Sequence, residues 1–341
     1  VREQDRGQLS VTSRGSGEHA RADFDGWYRD RSTGARAPAH LGKPRMNSDR
    51  QVGVIGLGLL GSAIAERLVA AGFRPNGFDI DPATQAAFER RGGIFAQSLA
   101  EIAMRCDPLV LAVYNTEQVE AVVECGILPA VGVRSDKTVL CASTCDPDHV
   151  AALAQRVARH GLHLLEIPIS GTSEQVRKGE GVGLLGGAPE KLQEVSEIVE
   201  AITPTHFHVG EVGNGGRAKL AINLILGLNR LALAEGLVFA ERLGLDADSF
   251  LAVARKSASY SQVMDTKGAK MVRGEFTPEG RIRQTLKDVK LMLAQAGTRG
   301  QQLPLATLNE EILEACVRQG EGDDDNSAVI REIRRRRDPA I

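Results

Sequence analysis

Apolar positions change period along the chain in a regular way. Gln51–Ile55 reads as a short buried strand, and residues 62–72 carry apolar residues at helical spacing with Gly72 where the helix should stop. A second strand ends at 77–79, and continuous apolar runs at 108–113 and 137–142 predict two more. Parallel strands covered on both faces lose the polar alternation of a half-exposed strand. Helices are expected around 117–125 and over 147–160, then a further helix and a short strand near Phe207. From about 214 to 243 apolar residues keep a helical period. Such a helix of roughly 30 residues spans about 45 Å at 1.5 Å per residue, long enough for an inter-domain spine. The fold class is therefore α/β: a doubly wound sheet, then an all-helical domain joined to it by a long helix.

A length of 341 residues with 42% hydrophobic positions suits two domains with real cores. Lys and Arg total 42 against 44 for Asp and Glu, a net charge of −2. No global basic field invites nucleic acid or an anionic membrane surface, and 4% aromatics is too few for base stacking. No uninterrupted apolar run approaches the roughly 18–20 residues of a membrane span. Cys106, Cys125, Cys141, Cys145 and Cys316 are an odd, scattered set. They predict a reduced, cytoplasmic protein, with Cys141 and Cys145 as buried thiols and no metal site. The stretch 323–325 (three Asp) and the arginines of 334–337 read as solvated charge runs.

The chemistry begins at Gly56-Leu57-Gly58-Leu59-Leu60-Gly61, between the first strand and the first helix. Gly56 allows a tight turn, Gly58 lets the backbone approach a pyrophosphate, and Gly61 lets helix pack on strand. The helix N-terminus then offers its unpaired N–H groups to the phosphates. Asp79 stands about 20 residues on, where a carboxylate takes ribose hydroxyls and repels a 2′-phosphate, so NAD is preferred over NADP. Asp81, before Pro82, is expected to cap the next helix. Val113, Tyr114 and Thr144 lie at carboxyl ends of strands and are placed to touch the cofactor. Ser143 and Thr144 read equally as a helix N-cap. Domain limits follow as a disordered Arg-, Gly- and Ser-rich tail at 1–45, an NAD(P)-binding domain at 46–212 and a helical domain at 213–341.

Four motifs occur in order: the early Gly-rich turn; Glu166-Ile-Pro168-Ile-Ser170-Gly171-Thr172; Gly210 to Asn223 with Gly213, Gly215 and Lys219; and Lys287-Asp288. Together they resemble the β-hydroxyacid dehydrogenase family, which includes 3-hydroxyisobutyrate dehydrogenase and tartronate semialdehyde (2-hydroxy-3-oxopropionate) reductase. The resemblance implies a Rossmann-type domain and an NAD(P)-dependent oxidoreductase acting on a small carboxylate substrate. It further implies Ser170, Gly171 and Thr172 as substrate loop, Lys219 as general acid/base and Asn223 as its partner one helical turn on. Lys287 would contact the cofactor, with Asp288 holding it. Gly210, Gly213 and Gly215 are expected, like Gly171, to touch ligands, and residues 257–261 to form either the substrate mouth or a packed turn. Glu166 for the usual Asp, Thr172 for a Gly and Tyr114 for a Pro depart from the family pattern. Imine-reducing relatives usually lack the lysine, a phosphogluconate-type enzyme needs a longer helical domain, and a non-catalytic nucleotide-binding scaffold has no need of Lys219. A homodimer or homotetramer is expected, as in the family.

Overall fold

Six parallel strands carry the first half of the molecule: β1 (Gln51–Ile55), β2 (Arg74–Phe78), β3 (Ile94–Phe95), β4 (Leu109–Leu111), β5 (Lys137–Cys141) and β6 (Leu162–Glu166). Their order in the sheet is β3-β2-β1-β4-β5-β6. The chain reverses its direction of progress between β1 and β4, which opens a crevice at the carboxyl ends of those strands. Covering helices are α1 (Leu59–Ala70), α2 (Ala83–Arg90), α3 (Leu99–Arg105), α4 (Thr116–Ala121) and α6 (Pro147–Ala158). Between α4 and α6 a π-helical turn, Val122–Ile127, leads into α5 (Leu128–Val131). Val52, Val54 and Leu140 pack with Ile64 and Leu68 of α1 on one face. Ile55, Leu109 and Val139 pack with Ile102, Val123 and Leu153 on the other. Cys141 and Cys145 are buried thiols here, the Cys141 thiol pushed up by its hydrogen bond with Cys145 and by burial.

In this computed structural model residues 50–132 and 135–337 are described, all of them within the unit Gly42–Ile341. The tail expected at 1–45 lies outside them.

The stretch after β6 forms a second, three-stranded sheet that the sequence pattern did not predict. It holds β7 (Ile169–Ser170), α7 (Ser173–Arg177), β8 (Val182–Leu185), α8 (Pro189–Glu194), α9 (Ser196–Ile202) and β9 (Thr205–His208). β8 pairs antiparallel with β7 and parallel with β9.

The spine is α10 (Asn214–Arg242), 29 residues long. Around it stand α11 (Ala247–Ala254), α12 (Gln262–Arg273), α13 (Ile282–Thr298), α14 (Pro304–Arg318) and, after a 3-10 turn, α15 (Val329–Arg335). Leu220, Leu231 and Leu237 of α10 join Met271, Val289, Ile312 and Ile330 in one core. By length and mean hydropathy (1.5) α10 is long and apolar enough to cross a membrane. No uninterrupted apolar run announces it, because Lys219, Asn223 and Arg230 break the pattern.

Asp323, Arg335, Arg336 and Arg337 are exposed, as expected of solvated charge runs, but Asp325 is built into the fold and three of the arginines are ion-paired. Asp325 is fully buried and accepts from Lys267 Nζ at 2.8 Å, Glu279 N at 2.9 Å and the Ser327 hydroxyl at 2.7 Å. Burial pushes that carboxyl up, but Lys267 and the N–H donors hold it below the usual carboxylate range. Arg334, Arg335 and Arg336 pair with Glu241, Glu321 and Glu311, tying the last helix to α10 and to α14 with the turn beyond it. A charge run reads as solvated only until folding brings opposite charges alongside it.

Candidate active site

The Gly-rich turn has the geometry its sequence requires. Gly56 sits at φ +92°, and a Cβ there would lie 2.6 Å from the Ala112 carbonyl oxygen; a Cβ on Gly61 would overlap the Gly56 carbonyl. At Gly58 a Cβ would meet nothing, so the chain leaves open space there. Gly58 is also the N-cap of α1, with no side-chain cap, so the helix N-terminus faces that space uncovered. Leu57 N donates to Asp79 Oδ2 at 2.6 Å, and Asp81 N to Asp79 Oδ1 at 2.9 Å. A carboxylate has about four lone-pair sites, so two remain for ribose hydroxyls. Asp81 accepts from Ala83 N at 3.0 Å just before α2, whose N-cap position is Pro82, one residue later than expected. These features fit a dinucleotide.

Glu166 ends β6 and is buried beneath the start of α10. Its carboxylate accepts from the N–H groups of Gly213 (2.5 Å), Gly215 (3.1 Å) and Gly216 (2.9 Å). Burial pushes the carboxyl up while those three donors pull it down, and burial prevails. This corrects the expectation that Gly213 and Gly215 touch ligands: their N–H groups are spent on Glu166. A side chain at Gly215 would crowd it, the Cβ lying 3.0 Å from Glu166 Oε2, and one at Gly213 would crowd the Pro147 carbonyl at 3.0 Å. Gly210, at φ +115°, shapes the turn before the helix and lines no cavity wall.

With its start fixed this way, α10 presents Lys219, Asn223 and Arg230 to a cavity of about 240 Å³. The cavity lies where the carboxyl edge of the parallel sheet meets α10, α12 and α13, and Leu59, Leu60, Thr144, Ser170, Gly171 and Thr172 also line it. Lys219 is buried and donates to the Ile169 carbonyl at 2.7 Å. Burial lowers its pKa to about 8, against a raising effect from Asp288, with Lys287 lowering it further. Asn223 Nδ2 donates to Asp288 Oδ2 at 3.0 Å, which fixes the amide orientation and leaves Oδ1 buried without a partner among the described residues. Lys287 Nζ pairs with Asp288 Oδ1 at 3.1 Å and donates to the Thr144 carbonyl.

Other expected positions fall beside this cavity rather than in its wall. Tyr114 reaches across to α13, its hydroxyl donating to the Arg283 carbonyl at 3.2 Å, and Lys287 Nζ stands 5.7 Å from its ring centroid. Tyr114 and Lys287 line a neighbouring depression, and Val113 receives the Ser143 hydroxyl at 2.8 Å. Asp146, not Ser143 or Thr144, caps α6. Thr172 lines the cavity, but its N–H is taken by Gln175 Oε1 at 2.9 Å and its hydroxyl oxygen by Gln175 N at 3.2 Å. Its hydroxyl proton and one lone pair stay free for a ligand. Residues 257–261 form a turn outside the cavity, where Tyr260 donates to Asp265 at 2.7 Å.

Comparison with known proteins agrees with this geometry. Residues 51–210 match the family model described as the NAD binding domain of 6-phosphogluconate dehydrogenase. Residues 213–333 match that for the NAD-binding of NADP-dependent 3-hydroxyisobutyrate dehydrogenase. An L-threonate dehydrogenase of Cupriavidus necator is 30% identical over 83% of this chain and 95% of its own. The chain belongs to the β-hydroxyacid dehydrogenase family. A cytokine-like nuclear factor N-PAC of Xenopus tropicalis is 28% identical over 83% of the chain, which spans 53% of that longer protein. The crystal structure of a 3-hydroxyisobutyrate dehydrogenase from Salmonella typhimurium superposes with a TM-score of 0.76, at 26% identity over 82% of this chain and 99% of that one. As a member of an NAD(P)-dependent oxidoreductase family, the chain uses NAD or NADP.

Sequence reasoning missed two residues of this family member's site. Glu166 was visible only as a departure from the motif, and its anchoring role needs the tertiary approach of α10. Arg230 carried a usable signal: it follows Lys219 by eleven residues, so it falls on the same helical face.

Proposed function

We propose that the protein interconverts a small 3-hydroxy acid and its semialdehyde, of the 3-hydroxyisobutyrate or 2-hydroxy-3-oxopropionate type, with Lys219 as general acid/base and NAD as preferred cofactor. The observation that carries this reading is the buried Lys219 amine, its pKa lowered to about 8, in a cavity beside the dinucleotide turn. Gly58 and the uncovered start of α1 would hold the pyrophosphate, and Asp79 the adenosine ribose. The nicotinamide, when bound, accepts or supplies the hydride. In oxidation neutral Lys219 takes the proton of the 3-hydroxyl; in reduction its ammonium returns one to the developing alkoxide. Asn223 Oδ1, lacking a donor, suits a second donor on the substrate, since the one proton of the reacting hydroxyl goes to Lys219, and Asp288 holds that amide in place. The Ser170 hydroxyl and the Gly171 N–H suit the carboxylate. An amine depressed this far is hard to explain in a nucleotide-binding scaffold without turnover, because a buried lysine destabilises the fold unless it has a task.

The same reading includes self-association, supported by the exposed Ile222, Ile225 and Phe239 on α10. The test of function is a panel of 3-hydroxy acids and semialdehydes assayed with each cofactor by absorbance of the reduced nicotinamide. Turnover of at least one pair, with NAD ahead of NADP, is expected. No turnover with any member, while cofactor binds, would contradict it.

A further inference from the structure

Arg230 stands on α10 seven residues beyond Asn223 and is 93% buried, yet it opens on the cavity. Among the described residues its guanidinium makes no hydrogen bond and no ion pair, and Nε is buried without a partner. Acids nearby are already engaged. Asp325 is held by Lys267 at 2.8 Å, Glu279 by Lys267 at 3.4 Å and Lys270 at 3.1 Å, and Asp288 by Asn223 and Lys287. Burial pushes the guanidinium down to about 10 while Asp325 and Asp288 hold it up, so it is charged at neutral pH. Burying a cation without a counter-charge is costly, and an apolar side chain would fill the space better. The feature that repays this cost is an anion arriving with the substrate.

We propose that Arg230 is a specificity-determining residue, taking an oxyanion at the end of the substrate remote from the reacting carbon. This rests on the dehydrogenase reading above and changes its substrate from a monocarboxylic hydroxy acid to one that carries a second, distal carboxylate. A planar guanidinium takes a carboxylate through two parallel hydrogen bonds. Arg281 also lines the cavity, but it is exposed and faces Asp323 at 3.9 Å, whereas Arg230 is buried with no counter-ion of its own among the described residues. Eleven residues separate Lys219 from Arg230. Their backbones are therefore about 16 Å apart along the helix, and both side chains lean toward its N-terminus. Both side chains line the same cavity, so a substrate whose reacting carbon sits at Lys219 can extend a second carboxylate toward Arg230.

The test is calorimetric titration of the full chain with redox-inert probes: succinate, glutarate and adipate, each against its monoamide. The wild type is expected to bind the best-fitting diacid at least about 30-fold more tightly than the monoamide, the loss seen when a buried charge pair loses one partner. Arg230→Met keeps the apolar stem and should abolish that discrimination, while Arg230→Lys restores part of it. In turnover, Arg230→Met should raise KM for semialdehydes with a distal carboxylate far more than it lowers kcat. A merely structural arginine would not produce that split. Equal binding of diacid and monoamide by the wild type, or discrimination that survives in Arg230→Met, overturns the proposal; if Arg230→Met does not fold, the wild-type and Arg230→Lys titrations decide it. Diacid discrimination without any turnover would sink the dehydrogenase reading and leave the anion site standing. Turnover without discrimination does the reverse.

Discussion

Asn223 donates to Asp288 at 3.0 Å across the seam between α10 and α13, and the same carboxylate pairs with Lys287 at 3.1 Å. One buried acid thus positions a residue of the reacting end and a lysine expected at the cofactor. A hydrogen bond to a charged group contributes about 1.5–3 kcal/mol, equivalent to roughly 10- to 150-fold. Asp288→Ala should lower kcat/KM by that factor in steady-state assays. A change under about two-fold would detach Asp288 from the reacting end.

Lys219 should impose opposite pH dependence on the two directions. With a pKa lowered to about 8, the neutral amine grows as pH rises, so oxidation should climb and level off above about 8. Reduction needs the ammonium and should fall through the same range. Profiles of kcat/KM in both directions check this, and parallel profiles would refute it.

The same shift bears on stability. Between about 8 and the ordinary 10.5 the unfolded chain binds more protons than the folded one. Stability contributed at this site therefore rises with pH across that window, and the burial penalty is complete below it. The gap corresponds to about 3 kcal/mol. Lys219→Met should raise unfolding free energy at pH 7 by up to about that amount in urea titrations, and destabilisation would contradict the assignment of an unpaired buried cation.

Glu166→Ala would leave the N–H groups of Gly213, Gly215 and Gly216 without their acceptor in a buried turn. Each orphaned donor costs about 1–3 kcal/mol, less whatever water restores, so a net loss of about 3 kcal/mol is expected. Activity should fall as well, since the turn sets the start of α10 and with it Lys219. Denaturant midpoints together with kcat measure both effects.

What was legible in the sequence was local. The strands at 108–113 and 137–142 announce themselves by uninterrupted apolar runs, the Gly-rich turn by its spacing, and Lys219 with Asn223 through the resemblance to the family's motif. The small second sheet was not legible, because β7 is two residues long and pairs with a partner beyond a helix. Asp325 read as solvated because nothing in its neighbourhood along the chain foretells Lys267, 58 positions away. Thr172 is placed in the substrate loop by resemblance, and its capping box with Gln175 appears only once α7 forms. Spacing reveals which residues share a helix face; only the folded chain reveals which of their groups are already used.

The central claim is that Lys219 carries the proton in a hydroxy-acid oxidoreduction. The most direct test compares Lys219→Ala with wild type in two measurements on the same preparation: cofactor affinity by fluorescence, and turnover of the best substrate from the panel. Affinity should stay within about two-fold, while kcat falls by about 10²- to 10⁴-fold, the usual contribution of a general acid/base. A variant that turns over at the wild-type rate would contradict the account.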